Sequence, residues 1–137
     1  VSEADGAITR VSWQAGKVGE ETPLLARARA QLAEYFDGKR QAFNLPLRVS
    51  GSAFQQEVCA AMSAIPFGET RTYGEIARGL GVPAQAVGQA CGANPVPVVI
   101  PCHRVLGATS LGGYSGEGGV ETKVWLLRHE GAGGLLI

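Results

Sequence analysis

The chain has 137 residues, 45% of them hydrophobic and 18% charged, which is enough for one modest core and argues against tandem domains. Twelve Lys+Arg stand against twelve Asp+Glu, so the formal charge is zero and a protein that holds nucleic acid by bulk attraction is excluded. No run approaches the roughly 20 apolar residues of a bilayer crossing and no signal sequence is recognisable, so a soluble, cytoplasmic protein without membrane contact is expected.

Val1 is not a methionine, and a chain trimmed at its front is expected. Residues 1–6 read as the end of a strand entering a hairpin turn. The run 7–13 follows, in which Thr9, Val11 and Trp13 alternate with Ile8, Arg10 and Ser12 as on a strand with one buried face. Residues 14–21 read as loop. Thr22 and Pro23 are an N-cap and first-turn pair, opening a helix that buries Leu25, Ala28, Leu32 and Phe36 until Gly38 stops it. Residues 42–49 are apolar enough to be extended, but Pro46 lacks an amide donor and confines them to an edge strand or a connector.

Ser52 and Gln55 predict a capping box, after which Phe54, Val58, Met62 and Ile65 line one face until Pro66 and Gly68. Cys59 lies beside that face and reads as a buried structural thiol. Thr72 and Glu75 predict a second capping box for a short helix with Ile76, Ala77 and Leu80 inward and Gly81 as its left-handed stop. Pro83 then opens another helix to about Asn94. Val87 can pack back on Ala77, so residues 72–94 fit a helix-turn-helix unit or a plain helical hairpin. The stretch 82–94 carries no charge and many Ala and Gly residues. Such a surface suits close approach to a protein neighbour or a nucleic-acid groove, or simple core packing.

Val98, Val99 and Ile100 form a β-branched run that predicts a buried extended segment ending at Pro101 and Cys102. The three cysteines are too scattered for a disulfide framework. An unperturbed thiol is only a few per cent ionised at neutral pH, so a nucleophilic Cys102 needs a base or cation, and His103 and Arg104 adjoin it. Neighbours on an extended chain face apart, so His103 reaches the sulfur only through a bend or a relaying water. Metal ligation is the rival role, but no C-x-x-C or H-x-x-x-H pair supports a zinc site. Downstream, residues 112–116 predict a glycine-rich loop carrying Tyr114 and Ser115. The last predicted helix, 121–129, buries Val124, Leu127 and Trp125. It is followed by Glu130, a carboxylate that is either solvated or placed to orient an imidazole.

At this point the chain resembles the O6-alkylguanine-DNA alkyltransferases, also called methylated-DNA–protein-cysteine methyltransferases. The resemblance rests on Asn94-Pro95 followed by Ile100-Pro101-Cys102-His103-Arg104-Val105. Supporting matches are Tyr73-Gly74, Ala86-Val87-Gly88, Gly113-Tyr114-Ser115-Gly116 and Leu126-Leu127-Arg128-His129-Glu130-Gly131. It is close over residues 54–131 and loose before them.

The resemblance implies an α+β fold in two halves. Residues 1–50 would be a strand-and-helix, RNase H-like half lacking its first strand. Residues 51–137 would be a mostly helical alkyltransferase half with the helix-turn-helix and a buried active-site cysteine. It implies a monomer without cofactor or metal that meets double-stranded DNA through the minor groove, nucleoid-associated if bacterial. Cys102 would take the alkyl group from O6 of a flipped-out guanine, and from O4 of thymine, once per molecule. Glu130 would orient His103 as base, and Asn94 would brace the turn holding the thiol. Tyr114 and the Ser115 amide would receive the guanine ring and O6, and the Val105 carbonyl its exocyclic amine. Tyr73 would press on the target phosphate, with Gln85, Ala86, Gly88 and Arg104 facing DNA.

The chain departs from the family pattern at Gln85, where an arginine usually enters the base stack, so weaker DNA binding or slower flipping is expected. Cys59 stands where tryptophan is common, and the N-terminal zinc ligands of some members are lacking. Pro95 and Pro97 opposite Gly112 and Gly116 predict a pocket mouth wide enough for groups larger than methyl. The alternatives are a sensor that binds alkylated bases without transfer, which the acceptor thiol opposes, and a dimeric helix-turn-helix regulator, for which Gln85 and Gln89 offer little base-reading chemistry.

Overall fold

The computed structural model describes residues 1–12, 19, 21–108, 111–114 and 119–132. An antiparallel hairpin opens the chain, β1 (Ser2–Ala4) and β2 (Ala7–Arg10), with Ala4 opposite Ala7. Its two-residue turn has Asp5 at φ 49° and Gly6 at φ 77°, the paired positive φ that matches the twist of a tight hairpin. Ala7 is buried and Thr9 and Val11 are half-buried, whereas Arg10 and Ser12 are exposed, so the sheltered face is the Ala7–Thr9–Val11 row, with Ile8 the one fully buried residue of the other row; Trp13 lies outside the described residues.

The connector over 42–49 uses Pro46 for what it can still do, which is accept. Ile8 donates its amide to the Pro46 carbonyl at 2.7 Å, and Arg48 donates to the Ile8 carbonyl at 2.9 Å, a single parallel bridge rather than a strand. Helix α1 (Pro23–Phe36) starts where Thr22 Oγ1 accepts from the Leu25 amide at 3.1 Å. Its inward row is Ala28, Gln31 and Tyr35; Leu25 and Leu32 are half-buried and Phe36 is exposed, which corrects the predicted face. Polar residues go inward here because each finds a partner. Gln31 brackets the Asn44 backbone, accepting from its amide at 2.9 Å and donating to its carbonyl at 3.1 Å.

Helix α2 (Ala53–Ser63) is capped by Ser52, whose hydroxyl accepts from the Gln55 amide at 3.1 Å. The box does not close. The Gln55 side chain donates instead to the Ala90 carbonyl at 2.8 Å, tying α2 to the next helical unit. The Thr72 box does close, with 3.0 Å bonds in both directions between Thr72 and Glu75, and it starts α3 (Tyr73–Leu80). Gly81, at φ 70°, ends α3, and Pro83 is the N-cap of α4 (Ala84–Gly92) rather than its first-turn residue. Ala77 and Val87 share the core, so the two helices pack as a helix-turn-helix.

Two strands of two residues each, β3 (Arg71–Thr72) and β4 (Val105–Leu106), pair in parallel and pin the start of α3 to the chain just beyond Cys102. Residues 98–100 are not extended. Val98 sits at φ 72° and Pro97 bridges Ile100, so the β-branched run is a tight turn. Cys102–Arg104 form one turn of 3-10 helix. Helix α5 (Gly119–His129) buries Lys123, Leu126 and Leu127, while Trp125 is 51% exposed and Val124 half-buried, correcting the predicted row.

The architecture is α+β. One core cluster joins Ile8 and Ala28 to Val58, Met62, Val87, Ile100 and Cys102, so the N-terminal hairpin and α1 share it with the helices and the turn around Cys102. A smaller cluster holds Tyr35, Val98 and Leu126. Among the described residues no helix is long and apolar enough to cross a membrane.

Candidate active site

Cys102 lies at the turn between the 95–100 loop and β4, 6% exposed. Asn94 holds the loop in shape from inside: its side-chain amide donates to the Ile100 carbonyl at 2.8 Å and its oxygen accepts from the Val96 amide at 3.0 Å. Those two bonds satisfy backbone groups that a turn this tight would otherwise bury unpaired.

The 3-10 turn separates the side chains of Cys102 and His103, and His103 turns to a buried carboxylate. Its Nε2 lies 2.7 Å from Glu130 Oε2. With the Nε2 proton donated to that carboxylate, Nδ1 is the accepting nitrogen. Nδ1 is buried and has no hydrogen-bond partner among the described residues. Glu130 also accepts from Arg104 Nε at 2.8 Å, Arg104 Nη2 at 3.0 Å and the Tyr35 hydroxyl at 2.6 Å.

Burial alone would raise the Glu130 carboxyl, but donation from His103, Arg104 and Tyr35 outweighs it and holds Glu130 down at about 2. Burial lowers His103, against the pull of Glu130. Burial pushes the Cys102 thiol up, opposed by an Asn94 hydrogen bond and the Lys123 charge.

Lys123 was not anticipated. It is fully buried, and its Nζ donates to the Val105 carbonyl at 2.6 Å and the Gly113 carbonyl at 2.9 Å, 5.7 Å from the centre of the Tyr73 ring. Burial brings its ammonium down to about 8. Gly113, one of the two acceptors, lines a cavity of about 450 Å³ that Cys102 also lines. Tyr73 and Tyr114 supply its aromatic sides, Gly88, Cys91 and Gly92 of α4 one wall, and Gly113 another. Cys91 is a second thiol there, pushed up to about 12 by burial, which keeps it protonated beside Cys102. Gly112 must be glycine: its φ is 72°, and a Cβ would come 2.9 Å from Tyr73 Cε2.

Of the residues singled out in the sequence, Cys102, His103, Glu130 and Asn94 form one constellation, Tyr73 and Tyr114 line the cavity, and the Val105 carbonyl is held by Lys123. Gln85 is exposed on the first turn of α4, Ala86 is half-buried, and Gly88 lines the cavity wall. Ser115 and Gly116 lie outside the described residues. Arg104 does not face DNA. It is 6% exposed, its guanidinium spent on Glu130, on the Ile65 carbonyl at 2.6 Å and over the Phe67 ring at 5.8 Å. Pro95 and Pro97 are half-buried in the loop and do not line the cavity, so the predicted mouth is corrected. Tyr35 and Cys91 also escaped the sequence reading. Tyr35 lies one residue off the apolar row assigned to its helix, and Cys91 stood among small residues with no motif to mark it.

Residues 53–132 match the family model for the 6-O-methylguanine DNA methyltransferase DNA-binding domain. The constitutive methylated-DNA–protein-cysteine methyltransferase of Bacillus subtilis is 49% identical over 114 residues, 81% of this chain and 68% of that protein. The methylated-DNA–protein-cysteine methyltransferase of Mycolicibacterium paratuberculosis is 47% identical over 125 residues, 89% of this chain and 72% of its own. Among solved structures, the Mycobacterium tuberculosis OGT crystallised in complex with DNA superposes with a TM-score of 0.74 at 47% identity, covering 79% of this chain and 68% of that one. The family model spans more than half of the chain and these relatives are close, so the chain belongs to the O6-alkylguanine-DNA alkyltransferase, or methylated-DNA–protein-cysteine methyltransferase, family.

Proposed function

We infer that this protein repairs DNA by direct reversal, moving an alkyl group irreversibly from O6 of guanine in double-stranded DNA to its own Cys102. The observation that carries the reading is the placement of Cys102 at the wall of a cavity of about 450 Å³, beside a histidine whose free nitrogen is buried and whose other nitrogen is held by Glu130. Family membership and the DNA complex of the mycobacterial relative support DNA as the substrate.

The Cys102 proton passes through one water to His103 Nδ1, and the imidazolium that forms is paired with Glu130. The thiolate then attacks the alkyl carbon. A C–S bond forms as the C–O6 bond breaks, the electron pair stays with O6, and the thioether stays with the protein. Negative charge on the departing base is met by the Tyr114 hydroxyl and the Ser115 amide, and the Val105 carbonyl, already fixed by Lys123, accepts from the exocyclic amine.

A base inside a duplex must leave the stack to reach the thiol, at a cost of a few kcal/mol. Helix α4 carries the means within one turn: Gln85 stands exposed near its start to follow the extruded base, and Gly88, three residues on, opens onto the cavity. The Ala- and Gly-rich face of α4 fits the minor groove, where shape counts for more than base-edge readout. Tyr73, at the start of α3, presses on the phosphate of the target nucleotide. The halves divide the labour: residues 51–137 bind and react, and residues 1–50 buttress them. Acting on double-stranded DNA, the protein would work in the cytoplasm, at the nucleoid if the source is bacterial.

The test is the intact mass of the protein after mixing with duplex DNA carrying one O6-methylguanine, with Cys102→Ser as control. A gain of one methyl mapped to Cys102, equal in moles to the guanine restored, is expected. Tight binding without a mass change would replace transfer by sensing.

A further inference from the structure

Glu130 is gripped from both ends of the chain. Arg104 and His103 approach from the 3-10 turn, and Tyr35 arrives from α1. The Tyr35 hydroxyl and His103 Nε2 bond the same carboxylate oxygen, Oε2, at 2.6 and 2.7 Å, with Arg104 Nη2 a longer third donor to it at 3.0 Å, while Oε1 takes Arg104 Nε at 2.8 Å. Tyr35 is fully buried, its ring packed edge-on to Phe67 and tilted against Phe43. Packing alone would be served by phenylalanine, and a buried hydroxyl is unfavourable unless it bonds. The hydroxyl spends its bond on the carboxylate that serves His103. The end of α1 is also clamped to the end of α5, where His129 Nε2 lies 2.6 Å from the Tyr35 carbonyl.

We propose that Tyr35 is a positioning residue for alkyl transfer: by sharing Oε2 of Glu130 with His103, its hydroxyl limits how strongly the carboxylate draws on the imidazole. The proposal rests on the transfer reading of Cys102. A donor that occupies one lone-pair direction of Oε2 spreads the carboxylate charge over three partners. Without it, Glu130 holds the imidazolium more tightly and His103 gives up its proton less readily. The other groups that bear on this balance stay in place in a hydroxyl deletion. They are Arg104 on the carboxylate, Lys123 of α5 acting on His103, and Tyr114 and His129 beside Tyr35.

The experiment compares wild type, Tyr35→Phe and Ala28→Gly in two assays across pH: single-turnover methyl transfer from O6-methylguanine DNA, and alkylation of Cys102 by iodoacetamide, mapped by peptide mass. Tyr35→Phe keeps the ring and removes only the hydroxyl. Its acid limb is expected to move to higher pH by about half a unit in both assays, roughly a threefold loss of rate below the limb. Ala28→Gly loosens α1 at a buried position away from the carboxylate, and is expected to lower Tm without moving the limb. A limb unmoved in Tyr35→Phe, or moved equally in Ala28→Gly, overturns the role of Tyr35. Failure of wild type to transfer methyl overturns the transfer reading instead, and the iodoacetamide comparison still decides whether Tyr35 tunes His103.

Discussion

Lys123 shows how a single buried charge can serve reactivity more than stability. Its ammonium is brought down to about 8 because burial disfavours the charge, and the nearby sulfurs of Cys102 and Cys91 only partly offset that. Lys123→Met removes the cost of burying the charge but leaves the buried Val105 carbonyl without this donor, two opposed effects of about 1–3 kcal/mol each, so unfolding free energy is expected to change by less than about 2 kcal/mol. Methyl transfer, followed in single-turnover experiments, should slow by about tenfold or more, because the Cys102 thiolate loses the Lys123 charge that favours it. Gln85 behaves oppositely, being exposed and idle in the free protein. Gln85→Arg adds a cation that can stack on an orphaned base, and fluorescence anisotropy on lesion DNA should show about two- to fivefold tighter binding with methyl transfer still mapped to Cys102. Gly112 allows no substitution of either kind. Gly112→Ala forces both a left-handed φ and a contact with Tyr73, so a loss of about 1–2 kcal/mol in urea unfolding is expected together with slower transfer.

Among the elements, helices with explicit start and stop chemistry were legible, while those shaped by distant partners were not. Thr72, Glu75 and Gly81 mark α3 with local signals that need no knowledge of the rest of the chain, and the helix forms where they place it. Gln55 carries the same signal after Ser52, yet the Ala90 carbonyl captures its side chain, a competitor 35 residues away that no local pattern reveals. The 98–100 run reads as strand because β-branched residues favour extended backbone, but Asn94 overrides that preference by satisfying a turn from within. Lys123 and Tyr35 were missed for a shared reason: polar residues take inward positions only where a partner waits, and hydropathy periodicity cannot see the partner. Cys102, His103 and Glu130 were legible through their motif, although their mutual geometry was not. Because the Thr72 box also seats Tyr73 at the first position of α3, Thr72→Ala should lower stability by about 1 kcal/mol and weaken lesion-DNA binding measurably in a filter or gel assay.

For the molecule as a whole, acid is the condition that reaches the site first. Glu130 is held at about 2 against an ordinary 4.5, and His103 lies below its ordinary 6.5. Both groups are depressed in the folded state, so the unfolded chain binds more protons, and stability is full above the ordinary values and lost as pH falls. Thermal unfolding followed by circular dichroism should show Tm declining below about pH 6.5 and again between about 4.5 and about 2. Glu130→Gln should abolish the lower step and start from a less stable protein, since Arg104 then loses its buried counter-charge.

The seclusion of Cys102 in the core has an outcome that belongs to arithmetic more than to structure. A thioether formed there is chemically inert, and Cys91, the thiol that shares its cavity, stays protonated and cannot relieve it. Every molecule is therefore a single round of ammunition. A dose series with lesion DNA should give repair that climbs in proportion to the protein added and then stops at a sharp corner, however long the mixture stands. The tolerance of a cell relying on this protein would be set by its stock at the moment of exposure and by the pace of new synthesis.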